Sequence, residues 1–257
     1  DGAVVFNAFD VLKGNERGYV ISSNGMFKTP PKELVFTDLG YAGTQHKALL
    51  NCIYGRFWVD AKRGQVINEN GKIENIAIYG KEQWFKENLP FNILKDIPNM
   101  DVDNSFKGIG ITMGWDNRFE RVFITKLDKR IKEEFRDKFI YENDEIKIET
   151  APGLFTTIEY DNEIYMDDYS WKIAVAPKYK GSEIKGWIGY YSFKPNYYID
   201  HFHYFQTGKN FGEEKGLWSH LLTNKSFQVF YGKLYPFVIE LPMINTYVNT
   251  VLKSIEY

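Results

Sequence analysis

The chain has 257 residues, of which 32 are Lys or Arg and 34 are Asp or Glu, so its formal net charge of −2 provides no uniform positive field for binding nucleic acid. Aromatic residues make up 17% of the sequence, with 18 Tyr and 20 Phe against 5 Met, and this composition suits half-buried strands better than helices. Cys52 is the only cysteine, which excludes an internal disulfide and a multi-cysteine zinc site and favours a reducing compartment.

The chain begins in a strand-like run, DGAVVFNAFD, without an initiator methionine or the basic and apolar regions of a signal peptide. We therefore expect a fragment of a longer polypeptide. No run of 18 apolar residues occurs, so the sequence predicts no membrane anchor.

Turn dipeptides recur at short intervals from Asn24–Gly25 to Tyr231–Gly232, with alternating apolar runs between them. This pattern predicts a mainly β protein with short antiparallel strands in a propeller-like arrangement. We expect one continuous β-rich region over 1–257, with tentative sub-units at 1–37, 38–127, 128–241 and 242–257. Internal repeats are too weak to define propeller blades directly.

The segment 57-FWVDAKRGQVINENGKIENIA-77 predicts three short strands joined by two turns. Asn70 and Gly71 form the second turn, and the first contains Asp60, Lys62, Arg63 and Gly64. Lys62 and Arg63 could clamp a phosphate through their donors. Their place before a glycine instead favours a tight turn whose charges stay in water.

Two segments predict short helical insertions. In 80-GKEQWFKENLPF-91, apolar residues share one helical face until Pro90 ends the helix. In 128-DKRIKEEFRDKFI-140, apolar residues recur at every fourth position from Ile131, which predicts a short surface helix.

The glycines of 108-GIGITMGWD-116 begin like a dinucleotide-binding fingerprint. Met113 stands where the third glycine would be needed, and no helix pattern follows. The segment therefore predicts a buried strand.

The histidines offer little catalytic chemistry. His201 and His203 alternate and would share one strand face, but their aromatic neighbours favour packing over a metal site. Ser219 and His220 could be combined with Asp168 into a triad, yet no G-x-S-x-G elbow supports one.

Asp167 and Asp168, beside Tyr169 and Trp171, have the composition of a sugar site, because glycoside hydrolysis uses two carboxyl groups. Adjacent strand residues face opposite ways, however, so the two acids would not converge on one bond. A solvated turn before the strand 170–177 is the stronger interpretation. From its residues, the chain is expected to be no enzyme and to hold no cofactor or metal.

An ordered set of segments resembles the tail muzzle proteins of crAss-like and related short-tailed bacteriophages, also called tail stabilisation or nozzle proteins. The resemblance covers most of the chain. It rests on 43-GTQHKALLN-51, 57-FWVDAKRGQV-66, 84-WFKENLPF-91, 114-GWDNRFERVFITKLD-128, 170-SWKIAVAP-177, 187-WIGYYSFKPNYYI-199, 218-WSHLLTNKSFQVFYGKLYPFVIELP-242 and 248-VNTVLKSIEY-257.

The resemblance implies a structural virion protein of the phage tail, part of a distal ring that closes the tail channel and retains, then releases, the genome. It implies a homo-oligomeric ring, contacts with other tail proteins, transient contact with packaged DNA, and assembly in the host cytoplasm. The family's chains are much longer, and it offers no catalytic motif to carry over. Candidate packing or interface residues are Trp58, Trp115, Trp171, Trp187, Tyr190, Phe193, Tyr197, Trp218 and Tyr231.

Two alternatives stay open at this point. The first is a tail-associated module that binds or cleaves glycans, with aromatic platforms at Tyr197, Tyr198 and Trp218. The second is a DNA-binding adaptor, whose retention on DNA would fall steeply with salt. The charge balance predicts no such retention.

Overall fold

The structure is a computed structural model. It describes residues 45, 47–177, 186–200, 204–210, 212, 214–220 and 227–238, together with the strand backbone at 4–5, 9–14, 17–22 and 32–33.

The described chain is mainly β, as the composition and turn pattern predict. Its strands are β1 (Val4–Val5), β2 (Phe9–Gly14), β3 (Arg17–Ser22), β4 (Lys32–Glu33), β5 (Leu49–Cys52), β6 (Gly55–Asp60), β7 (Gln65–Glu69), β8 (Ile73–Asn75), β9 (Gly110–Asp116), β10 (Arg121–Leu127), β11 (Lys129–Ile131), β12 (Phe139–Glu142), β13 (Glu145–Ala151), β14 (Leu154–Ile158), β15 (Met166–Asp168), β16 (Trp171–Ala176), β17 (Gly186–Tyr190), β18 (Tyr197–Asp200), β19 (Phe205–Lys209), β20 (Gly216–His220), β21 (Val229–Phe230) and β22 (Lys233–Leu234).

These strands form several small antiparallel sheets, and none of the described sheets closes into a barrel. The propeller-like arrangement stays a prediction. Two sheets have four strands, in the orders β5-β6-β7-β8 and β17-β16-β10-β9. Two have three strands, β12-β13-β14 and β18-β19-β20, and four are pairs: β1-β4, β2-β3, β11-β15 and β21-β22. The sheet β17-β16-β10-β9, called the central sheet below, joins strands from both sides of residue 127.

Successive side chains of a strand point to opposite faces of a sheet. In the central sheet, a core of buried residues covers each face. On one face, Val122, Ile124 and Ile173 are fully buried in a first core. The sheet β5–β8 adds Phe57 and Val59 to that core. A second, smaller core lies on the opposite face and contains Phe123, Ala174 and Phe205, with Tyr191 and Tyr198 packed against it. This second core joins the central sheet to the three-stranded sheet β18–β20.

A single α-helix, α1 (Glu82–Asn88), lies within the described residues and confirms the helix predicted before Pro90. Phe85 and Leu89 are fully buried, as their spacing of four positions requires for residues on one face. Short 3₁₀ turns lie at Ile76–Ile78, Ile93–Lys95, Ser105–Lys107 and Glu133–Phe135.

The helix predicted over 128–140 is wrong. The structure places β11, a single 3₁₀ turn and β12 there. Ile131 pairs with Met166 on β15, and Phe139 pairs with Ile148 on β13. Strand pairing, with β15 and within the β12–β13 hairpin, outweighs the local helical pattern, because a short isolated helix is only marginally stable without tertiary contacts.

Candidate functional site

The charged segment between Asp60 and Gly64 joins β6 to β7. The Asp60 carboxylate accepts a hydrogen bond from the Arg63 backbone N–H at 3.1 Å, while the Lys62 and Arg63 side chains are exposed. Gly64 has a φ of +68°, and a Cβ there would lie 2.5 Å from the Lys86 Cα. The glycine therefore provides a positive φ and lets the turn contact α1 closely.

The second predicted turn, at Asn70 and Gly71, joins β7 to β8. The Asn70 N–H donates to the Lys72 carbonyl at 3.1 Å, and Gly71 has a φ of +77°. Both segments thus have an architectural role in the four-stranded sheet.

Four of the candidate interface aromatics are buried within the chain: Trp58, Trp171, Phe193 and Tyr231. Trp58 lies on the face of its sheet opposite the first core, since its neighbours Phe57 and Val59 face that core. Trp171 packs on Trp84 of α1 with ring centroids 4.9 Å apart. Buried side chains of this kind stabilise the fold of the chain itself.

The other candidates are closer to the surface. Trp115 packs edge-on against Tyr54, and Trp187 lies 4.6 Å from the Phe85 ring. Trp218 packs on Tyr231 at 5.5 Å. Tyr190 is 53% exposed.

Tyr197 lies over a glycine of the neighbouring strand. A Cβ on its cross-strand partner Gly208 would lie 1.8 Å from the Tyr197 ring. The Tyr197 ring also stacks on Phe106, with centroids 5.1 Å apart and an interplanar angle of 7°.

Two lysines of the central sheet are fully buried, and their surroundings differ. Lys126 lies on β10, and its ammonium group donates to the carbonyls of Asn88 and Pro90, each at 2.8 Å. It also donates to the Asp128 carboxylate at 2.7 Å, so all three N–H groups have acceptors. Burial lowers the pKa of Lys126, and the charge of Asp128 opposes that shift.

The Asp128 carboxylate completes this network. It accepts the backbone N–H of Asn92 at 2.9 Å and the Asn92 side-chain amide at 3.0 Å. The backbone N–H of Ile93 is a further donor at 3.4 Å. The pair therefore ties the chain that follows α1 to the central sheet.

Lys172 lies on β16, next to Trp171, which pairs with Lys126. It therefore faces the side of the central sheet opposite Lys126, where the second core lies. Its Nζ has no hydrogen-bond partner among the residues that the structure describes. The nearest groups are rings: Nζ lies 3.2 Å from the Phe193 centroid, 4.2 Å from that of Phe123 and 5.4 Å from that of Tyr198. Burial, followed by the like charge of Arg121, lowers the pKa of Lys172 well below its usual value.

His220 belongs to the same second core. Its Nε2 lies 2.6 Å from the Thr207 hydroxyl, and its ring is 5.2 Å from Phe193. Burial and then the positive charges of Lys172 and Arg121 lower the pKa of His220 to about 4. This histidine is therefore neutral at pH 7.

A groove with a volume of about 240 Å³ lies on the surface between the sheet β12–β14 and the turn at Ser105–Lys107. Phe106, 50% exposed, stands at one side, and the Asn210 side chain donates to its carbonyl. The groove is mainly acidic, with Lys107 and Lys215 against Asp144, Glu145, Glu159 and Asp161.

One acid of the groove is held in a fixed position. Asp144 has a φ of +60° in the turn between β12 and β13 and accepts the Tyr141 hydroxyl at 3.0 Å. Lys107 contacts its other oxygen at 3.4 Å. Burial, with the nearby acidic charges, raises the pKa of Tyr160 on the groove wall, so this tyrosine remains a neutral donor.

Asp167 and Asp168 belong to β15, where the sequence predicted a turn, and pair with Arg130 and Lys129 of β11. The Asp168 carboxylate accepts the Ser170 N–H at 2.9 Å and contacts Lys129 and Lys194 at 3.2 and 3.0 Å. Burial raises its pKa, but Ser170, Lys194 and Lys129 together lower the pKa of Asp168 to about 2.

The segment with the glycine pattern folds as β9, a strand buried along most of its length. Gly114 admits the Tyr198 ring, because a Cβ there would lie 2.3 Å from that ring. His201 and His203 lie outside the described residues. In the part of the chain that the structure describes, no group of three or more His, Cys, Asp or Glu side chains is arranged to hold a metal ion.

Sequence reasoning missed both buried lysines and the groove. The runs 121-RVFITKL-127 and 171-WKIAVA-176 each contain a lysine inside an otherwise apolar strand, and that position was an available signal. The groove had no such signal, because its residues come from distant parts of the chain.

No known protein family, curated protein or solved structure matches this chain. None of the helices in the described ranges is long and apolar enough to cross a bilayer.

Proposed function

We propose that this chain is a non-enzymatic structural protein of a short-tailed phage, acting as one subunit of a homo-oligomeric ring in the distal tail. The observation that carries the proposal is the presence of large apolar side chains on the edge strands of three described sheets. β14 exposes Leu154 and Phe155, β17 exposes Ile188 and Tyr190, and β20 exposes Leu217.

Edge strands of this kind favour assembly. An edge presents unpaired backbone N–H and C=O groups, and proteins that stay monomeric protect their edges with charges, bulges or prolines. The exposed fractions of 59% for Leu154 and 52% for Ile188 and Leu217 are instead what a neighbouring subunit would cover. The resemblance to tail muzzle proteins supplies the setting, a ring in which each subunit has two such neighbours.

The experiment compares two isoleucine-to-lysine variants. Ile188→Lys places a charge on the exposed face of edge strand β17, and Ile164→Lys places the same charge on a turn residue that is 66% exposed. Light scattering and native mass spectrometry should show an oligomer for the parent chain and for Ile164→Lys, and a smaller species for Ile188→Lys. An equal mass for all three would contradict a β17 interface.

The proposed position of this protein at the distal tail can be tested by labelling intact phage particles. Gold-labelled antibody against this chain should mark the distal tail of intact phage. Label on the fibres or none on the particle would contradict the ring proposal.

A second candidate function, binding of a glycan, is favoured by the groove. The half-exposed Phe106 ring, stacked on Tyr197, provides an apolar surface for the C–H face of a sugar. Carboxylates such as Asp144 can accept from sugar hydroxyls. Of the aromatic platforms expected from sequence, Tyr198 is unsuitable because it packs in the second core with its hydroxyl 2.5 Å from Thr125.

The groove is smaller than the 300–1,000 Å³ typical of drug-sized ligands, so it suits about one sugar ring. A glycan array should therefore show binding that Phe106→Ala abolishes. Phe119→Ala, at a ring that is 54% exposed away from the groove, is the matched control. A blank array would remove this candidate and leave the ring proposal intact.

A further inference from the structure

The second core contains a buried lysine whose Nζ meets aromatic rings and no hydrogen-bond acceptor among the described residues. The Lys172 Nζ is fully buried, lacks a hydrogen-bond acceptor and lies against the faces of four rings, those of Phe123, Tyr191, Phe193 and Tyr198. Ring faces attract an ammonium group, but they do not replace the hydrogen bonds that it loses on leaving water.

The charged neighbours of Lys172 do not compensate for these lost hydrogen bonds. Arg121 points its guanidinium at the Phe123 and Tyr191 rings, adding a second positive charge to the same side of the central sheet. The buried carboxylate of Asp116 is already bonded to Arg121 at 2.8 Å and to the Arg118 N–H at 3.1 Å. The surroundings of Lys172 therefore disfavour the charged form of its side chain.

His220 is the second group of this core whose charged form is disfavoured. It comes from β20 and contacts Phe193 and Phe205, while Thr207 links it to the Tyr231 hydroxyl at 2.7 Å. Among the described residues, the other titratable side chains around the cluster are Tyr191 and Tyr198 beside the lysine and Tyr231 beside the histidine. Lys209 and Glu214 are paired with each other beyond Tyr231. Within the described ranges, Asp116 is the carboxylate whose charge acts on Lys172.

The aromatic residues of this cluster also join two sheets. Phe123 belongs to the central sheet, whereas Tyr198, Phe205 and His220 belong to β18–β20. Phe123 stacks on Phe205 at 5.2 Å and on Tyr198 at 6.4 Å. A proton that enters the cluster thus acts directly on the contact between the sheets.

We propose that this cluster is an acid-sensitive joint: protonation of Lys172 and His220 loosens the sheet β18–β20 from the central sheet while the first core stays folded. The inference goes beyond the ring proposal and does not depend on it. In an assembled particle such a joint would let one part of the subunit move at low pH without unfolding the rest.

The direction of the pH effect follows from proton uptake. In the unfolded chain, the lysine is protonated below its ordinary pKa of 10.5, whereas folding lowers that pKa. The free energy of unfolding therefore decreases as the pH falls. The histidine adds a loss between its ordinary pKa of 6.5 and its folded value of about 4. Opening should therefore increase from neutral pH towards pH 4.

Hydrogen–deuterium exchange of the purified chain, measured from pH 8 to pH 4 and corrected with rates for unstructured peptides, tests the joint. Peptides from β18–β20 should lose protection at a higher pH than peptides from β6–β7. At one pH, Lys172→Met should slow exchange in β18–β20 by about tenfold or more and leave β6–β7 unchanged.

Lys126→Met is the matched control, because that lysine is equally buried but fully paired; it should speed exchange in the first core. The proposal fails if the two sheets of the parent lose protection together, or if Lys172→Met leaves β18–β20 as acid-sensitive as in the parent. If Lys172→Met does not fold, the pH dependence of exchange in the parent chain is sufficient to test the proposal.

Discussion

Lys126 and Lys172 stand on neighbouring strands of one sheet, one position apart, and both are fully buried on opposite faces. Lys126 has three acceptors, one of them a carboxylate that is itself held by Asn92. Around the Nζ of Lys172, the described part of the chain places aromatic rings and no acceptor. Burial by itself therefore does not decide whether a lysine stabilises or destabilises the fold; the atoms that face its ammonium group decide it.

The largest effect should follow from removing the paired lysine. Lys126→Met leaves the Asp128 carboxylate buried without its cation, and breaking a buried pair in this way costs about 3–5 kcal/mol. Urea unfolding at neutral pH measures it. The double variant Lys126→Met/Asp128→Asn should recover part of the loss, since the amide carries no charge; recovery of none would show that Asp128 is not the reason.

The unpaired lysine should give the opposite sign. Lys172→Met removes a buried group without partners and should raise the free energy of unfolding by about 1–3 kcal/mol. Because the parent loses stability as pH falls below 10.5, the gain should grow towards acid until the folded-state pKa is passed. A variant less stable than the parent throughout would mean that the cation–π contacts outweigh the cost of burial.

The smallest effect should come from an ion pair near the surface. Asp168 is 44% exposed and contacts Lys129 and Lys194, so Asp168→Asn should cost less than about 1 kcal/mol and less still in high salt. Its depressed pKa means that this contribution is present above the ordinary value of 3.8 and is lost as pH falls through about 2. A loss comparable with that of Lys126→Met would remove the distinction between buried and exposed pairs.

The sequence predicted an element correctly where the residues that determine it are close together in the chain. The turn at Asp60–Gly64 lies where a glycine with positive φ was predicted, and α1 ends where Pro90 requires. The helix predicted over 128–140 is wrong because Ile131 pairs with Met166 of β15 and Phe139 pairs with Ile148 of the next strand, β13. Strand pairing, which the helical spacing does not report, decided that segment.

The same distinction separates the predicted and the missed site residues. The aromatic candidates were identified by type, yet only the structure shows that Phe193 and Tyr231 are buried and that Tyr190 is exposed. Phe106 had no local signal, because its importance comes from Tyr197, 91 positions away, and from a groove built by four separate segments.

Composition, alternation and turn residues by themselves determined that this protein is mainly β, with a short helix before Pro90, because these properties depend on neighbouring residues. The tertiary structure alone decided which face of the central sheet each lysine occupies and what lies opposite it. A strand fixes only that Thr125 and Lys126 point in opposite directions. Whether a carboxylate or a ring meets the side chain depends on which distant segment covers that face.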